Sequence, residues 1–433
     1  MNNHVISPWI RYCQIVAVST MFAGYPLVAA IAQLTGLLST PLSIAMRGLT
    51  AAACLGILLM VPLTRRTPLS RPSPLLLLLS IPVLIFWMLF LIRMAIDTYY
   101  SGYLLYYEPY TYWVWSIGGS LIPMLALSRI IYSDELAQDL FRWTFYMTLL
   151  AALLIIPSIG TSLQNEEGIL QDTGRGRIEA LNPISLGHLG VQLVLMGLWQ
   201  LFLRPDKVGL LRNWPVGFGI LVGTYVALVA NSRGPLVAFL FVALFALVAS
   251  RLRSRFILLV MLFLGAIGFV PIVNLIDAMS GTAIYARLFE QSQFEEVSTI
   301  GRLDLYSSAW NLFLDNPLFG AGLEDPTFGG YPHNVVIEAF MATGFAGGVA
   351  FVIGVVAMVY AAFVVIRELP LYAWMALIAL QQLLSAQFSG TLIQSTTMWG
   401  AMALMTSIIG LRKSLDNWQR VRQPAPPLWI QGQ

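Results

Sequence analysis

The sequence predicts an all-α polytopic membrane protein of about twelve transmembrane helices, with one large outer loop that contains amphipathic helix. Three observations carry this. Hydrophobic residues make up 58% of the 433 and charged residues only 10%, against about 25% charged in a soluble domain. The mean hydropathy is +0.76. Apolar runs of about 20 residues, the length that crosses a bilayer, recur along the whole chain.

In chain order the runs fall near 12–36, 39–62, 75–93, 113–132, 143–160, 184–203, 214–230, 235–250, 256–275, 333–361, 370–388 and 391–411. Met1 to Arg11 is too polar and too short for a cleaved signal peptide, so the first run reads as a retained helix. The seventh and eighth runs meet at Asn231-Ser232-Arg233-Gly234-Pro235, a tight polar turn. No soluble domain and no repeat interrupts the series. Residues 1–433 therefore read as a single integral membrane domain, with 276–332 as a loop within it. The tail from Gln423, rich in proline, reads as disordered. Cys13 and Cys54 both sit inside apolar runs, and neither reads as a disulfide partner or metal ligand.

Charge sets the orientation. Seventeen of the 24 Lys and Arg fall in one set of alternate loops, from Arg11 through Arg65, Arg129, Arg204, Arg251 and Arg367 to Arg422. The positive-inside rule places that side in the cytoplasm, with both termini. The other seven are Arg47, Arg93, Arg175, Arg177, Arg233, Arg287 and Arg302. They lie in outer segments or within a helix, against the topological bias. For Arg93, Arg175, Arg177 and Arg287 the plain reading is a loop arginine paired with a nearby carboxylate.

Two constellations could carry chemistry. Arg233 sits where two helices turn, and an interfacial Arg is costly unless paired or facing a polar cavity. It either snorkels to headgroups or grips an anion, since guanidinium binds phosphate bidentately. The second is the polar block Gly301-Arg302, Trp310, Asn316-Pro317, Gly320, Gly322 and Pro332-His333-Asn334. Arg302 begins a stretch with Leu303, Tyr306, Trp310 and Phe313 at helical spacing, an amphipathic surface helix that Asn316-Pro317 ends. A surface salt bridge is the plain alternative for Arg302. His333 is expected in the first turn of the tenth helix, behind Pro332. There the helix dipole disfavours imidazolium, leaving a neutral base able to accept a proton. His188, inside an apolar helix, reads as a core or interhelical hydrogen-bonding residue.

Other chemistries lack their motifs. There is no Asp-x-Asp, no zinc spacing and no Walker or dinucleotide motif, so no cofactor and no metal is expected. The acidic pairs Glu166-Glu167, Glu295-Glu296 and Glu324-Asp325 read as solvated faces. The basic loops need only the topology rule, not nucleic acid.

At these residues the chain resembles the O-antigen ligase and polymerase superfamily of bacterial envelopes. The resemblance lies in Asn231-Ser232-Arg233-Gly234, in the block from Gly301-Arg302 to Gly322, in His333-Asn334 with Gly344 and Gly347, and more weakly in Arg177 with Asn182-Pro183. It also covers the helix layout, with a large outer loop before the His-bearing helix.

The resemblance implies a metal-independent glycosyltransferase in the bacterial inner membrane. Its donor is a glycan on undecaprenyl pyrophosphate, taken at the periplasmic face. The resemblance assigns pyrophosphate binding to Arg233 and to Arg302 or Arg287, and acceptor activation to His333. It adds Arg177 and Asn334 as substrate contacts. A ligase moves the glycan to lipid A-core oligosaccharide and completes lipopolysaccharide; a polymerase moves it to another carrier-linked unit. Polymerases carry Arg-x10-Gly in an outer loop, and Arg175, Arg177, Arg287 and Arg302 all lack Gly eleven residues on. That favours the ligase. A transporter would carry polar residues and broken helices near the midplane, in repeated halves. Here the charges cluster at one surface.

Overall fold

The structure, a computed structural model, describes residues 7–64, 73–100, 105–164, 181–204, 213–280, 284–285 and 293–422. It is helical throughout. The one β-type pairing among the described residues is an isolated bridge between Asp325 and Gly330.

The helices are α1 (Pro8–Thr35), α2 (Ser39–Thr64), α3 (Pro74–Tyr99), α4 (Pro109–Trp113), a π-helical stretch Val114–Leu121, α5 (Ile122–Leu127) and α6 (Asp134–Gln164). There follow α7 (Pro183–Leu198), α8 (Trp214–Val229), α9 (Arg233–Ala249), α10 (Leu252–Ser280), α11 (Gln293–Asp315), α12 (Val335–Glu368), α13 (Ala373–Ser389) and α14 (Thr396–Arg422). Among the described residues, eight segments are long and apolar enough to cross a membrane, and α8 and α9 are shorter apolar helices.

Two kinds of contact hold the bundle. Small residues let backbones touch, as membrane helices require. A Cβ on Gly190 of α7 would stand 2.4 Å from the Gly223 carbonyl oxygen of α8. Aromatic rings fill the opposite flank. Phe86 of α3 meets Phe351 of α12 with ring centroids 5.1 Å apart, and Trp87 meets Trp399 of α14 at 4.8 Å.

The polar block before α12 departs from its expected form in three places. Its helix begins at Gln293, not at Arg302, because no Gly or Pro interrupts the chain from Gln293 until Gly301 and Glu is a good helix former. It ends at Asp315, before Asn316-Pro317, as expected. Trp310 and Phe313 anchor it on Phe340 of α12, with centroids 5.7 and 5.1 Å away. His333 lies outside the next helix. Asn334 caps α12, accepting the Val336 and Ile337 N–H groups at 3.1 Å each, so helical geometry starts only at Val335. The pair Glu324-Asp325 is not a solvated face. Asp325 is fully buried, and Glu324 accepts the Tyr106 N–H at 2.8 Å and the Tyr112 hydroxyl. Glu166-Glu167 and the tail from Gln423 lie outside the described residues, as do the side chains of Glu295 and Glu296.

The loop after α11 is built into the bundle. α12 breaks at Gly344, where φ is 66° and ψ is −163°. The Phe345 N–H donates to the Pro317 carbonyl and the Ala321 N–H to the Met341 carbonyl, both at 2.7 Å. Residues 317–321 thus satisfy backbone groups on both sides of the break. Arg93 of α3 clasps the same loop. It pairs with Asp97 at 3.1 Å, as the plain reading expected, and donates to the Gly320 carbonyl at 2.6 Å. Asp97 in turn accepts the Leu323 N–H at 2.7 Å.

Candidate functional site

His333 takes its place from the backbone around it. It has φ of 54°, one of two non-glycine residues with positive φ among the described ones. The Asn334 cap fixes the following turn, and the Asn334 Nδ2 donates to the Gln387 carbonyl at 3.3 Å, tying the turn to the end of α13. Asn334 therefore serves the local fold. It is not among the residues lining the chamber described below.

The imidazole packs edge-on to Tyr331, with ring centroids 4.7 Å apart. Burial and the positive charge of Arg302 push its pKa below the ordinary histidine value, and a hydrogen bond to the Ser389 backbone opposes them. The ring is therefore neutral near pH 7. Nδ1 is buried without a hydrogen-bond partner. The nitrogen that meets the Ser389 carbonyl is then Nε2, which carries the proton, and Nδ1 keeps its lone pair. Burial holds the Tyr331 phenol protonated, with its pKa pushed up to about 12.

A polar chamber of about 570 Å³ opens beside this ring. At its mouth stand His333, Tyr331, Asn182 and the 389–397 turn. Asn182 caps α7 by accepting the Ser185 N–H at 2.8 Å. Below it, Ser185, His188 and Gln192 follow one face of α7 into the bundle. Gln382, Ser385 and Ser389 face them from α13, and Ser43, Arg47 and Thr50 from α2. Spacings of three and four residues put each set on one helix face.

The 389–397 turn is pinned from below by a carboxylate that the sequence analysis passed over. Glu338 of α12, 2% exposed, accepts the Thr391 hydroxyl at 2.7 Å and the Leu392 N–H at 3.0 Å. Glu338 sits in the first turn of an apolar helix, a placement costly enough to have marked it.

The structure brings Arg302 and His333 together. Arg302 is half-buried on α11, close enough to depress the histidine. Arg233 is exposed in the first turn of α9. Its neighbour Gly234 faces Phe388, a Cβ there standing 3.9 Å from the Phe388 Cβ, one residue from the Ser389 that holds His333. Neither Arg233 nor Arg302 is among the residues lining the chamber. His188 makes the expected interhelical contact, its carbonyl accepting the Gln381 Nε2 at 2.7 Å, and the residue also lines the chamber. Arg175, Arg177 and Arg287 lie outside the described residues.

Such an arrangement offers a neutral base, the Arg302 cation near it, and a hydroxyl- and amide-rich chamber behind it. No curated protein matches the chain. Residues 218–352, which hold Arg233, Arg302, His333 and Gly344, match the family model described as O-Antigen ligase, so over that segment the chain is similar to the family it resembles.

Proposed function

We propose that this protein is a membrane glycosyltransferase of the O-antigen ligase kind. It moves glycan from undecaprenyl pyrophosphate to lipid A-core oligosaccharide at the periplasmic face of the inner membrane. The observation that carries the reading is the neutral His333, held beside Arg302 at the mouth of a polar chamber.

In this reading the neutral His333 imidazole takes the proton from an acceptor hydroxyl, whose oxygen forms the new bond to the anomeric carbon. The bond from that carbon to pyrophosphate breaks, and the carrier pyrophosphate leaves with the electron pair. Arg233 and Arg302 stabilise its growing charge, as cations placed beforehand in a poorly hydrated site do. Arg287 and Arg177 are proposed to extend this anion site. No step calls for a metal or a nucleotide.

In this reading α8, α9, the stretch 109–127 and α14 are further crossings beside the eight candidate spans, twelve in all. An even count returns both termini to one side, and the 17 of 24 basic residues in alternate loops make that side cytoplasmic. The segment before His333 is then periplasmic.

Deleting the gene and resolving extracted lipopolysaccharide on a gel tests the reading. Loss of every long-chain band, with carrier-linked polymer accumulating, is the expected result. A single repeat unit still attached to core would make the protein a polymerase, and an unchanged ladder would remove both readings.

A further inference from the structure

We propose that the chamber behind His333 is a saccharide subsite, and that Arg47 takes an anionic substituent, a carboxylate or phosphate, on the sugar it holds. The proposal rests on the glycosyl-transfer reading and concerns residues which that reading does not use.

The chamber runs deep. From Asn182 to Gln192, both of which line it, is ten residues along α7, about 15 Å at the rise of an α-helix. Its size suits one or two sugar rings, since ligand cavities span roughly 300–1,000 Å³. Amides and hydroxyls from α7, α13 and the 389–397 turn line it, together with the aromatic residues Tyr107, Trp115 and Tyr331. Hydroxyl-binding groups beside flat apolar faces match the two surfaces of a pyranose.

One observation says what kind of ligand completes it, and it concerns Arg47. It lies eight residues past the start of α2 at Ser39, about 12 Å along the helix, in an otherwise apolar span. Its guanidinium stacks over Trp115, 5.4 Å from the ring centroid, and keeps accessible surface. None of the described residues lining the chamber is acidic. An arginine at that depth is retained where it faces a polar cavity, and a cation facing a cavity without carboxylates selects an anion.

Saturation-transfer NMR on the full-length protein in nanodiscs, with glucose, glucuronic acid and glucose 6-phosphate as probes, tests this. Both acidic sugars should bind about tenfold or more tighter than glucose, the gain of one charge-assisted contact. Arg47→Gln should bind all three like glucose. Equal binding in the unaltered protein, or a preference that survives Arg47→Gln, overturns the proposal. Should Arg47→Gln not fold, Arg47→Lys decides: the preference must shrink but persist, and an unchanged preference is fatal. A rise in KM for the lipid-linked donor alone places the anion on the donor glycan, and a rise for the acceptor alone places it on the acceptor. Acid preference lost in Arg47→Gln alongside an unchanged lipopolysaccharide ladder on gene deletion would keep the subsite and reject the transferase.

Discussion

Gly344 lies against the backbone of Leu318, and a Cβ on Gly344 would stand 2.5 Å from the Leu318 carbonyl oxygen. Gly320 approaches the other side of the break as closely, with a Cβ there 2.5 Å from the Met341 carbonyl oxygen. Both residues also have positive φ, 66° and 73°. The loop after α11 is seated in α12 because these two positions lack side chains, and α12 begins two residues after His333.

Gly344→Ala and Gly320→Ala should each strain the backbone by roughly 1–3 kcal/mol and displace the loop. Lower thermal midpoints and reduced transfer are expected. Gly301→Ala is the control, because nothing stands within 4 Å of a Cβ there. Equal stability in all three variants would show that the break tolerates side chains.

His333 has a pKa lowered first by burial and then by Arg302, so it is neutral at pH 7 and activity should fall as pH drops through that lowered value. Arg302→Gln removes the repelling cation and should move the acid limb to higher pH. Donor pyrophosphate neutralises Arg302 in the same way, so the limb of kcat should lie above that of kcat/KM. His333→Ala should lose about 10²–10⁴ in rate together with the limb. A limb that persists in His333→Ala assigns it to another group.

Arg233 is exposed in the first turn of α9, so its loss should spare folding. Arg233→Ala should abolish transfer, and Arg233→Lys should restore little, because Lys lacks the planar fork. Full turnover by Arg233→Ala at equal protein level returns this residue to a snorkelling role.

Glu338→Ala leaves the Thr391 hydroxyl and Leu392 N–H without their acceptor. The expected cost is about 1–3 kcal/mol, read as a lower thermal midpoint. Glu338→Gln keeps one carbonyl oxygen and should lose less. A wild-type melt for Glu338→Ala would mean that the turn over the chamber holds itself.

Transfer by purified protein should continue in excess EDTA, because the proposed charge stabilisation comes from arginines. Activity lost to chelator and restored by magnesium or manganese would replace that mechanism.

The sequence by itself determined the membrane class, the helical fold and the residues of the polar block. Apolar run length and charge bias are local properties, legible without contacts. The sequence holds twelve apolar runs, and eight segments meet the length and hydropathy of a span among the described residues. The pairing of His333 with Arg302, 31 residues apart in the chain, was legible only as shared membership of one loop. Tertiary structure decided the rest. It made Asn334 the cap of α12, turned Glu324-Asp325 inward, and set His188 and Arg47 around one chamber. A residue's period along a helix says which neighbours share its face, but not which other helix that face meets. Interhelical packing settles that, and with it the whole chamber.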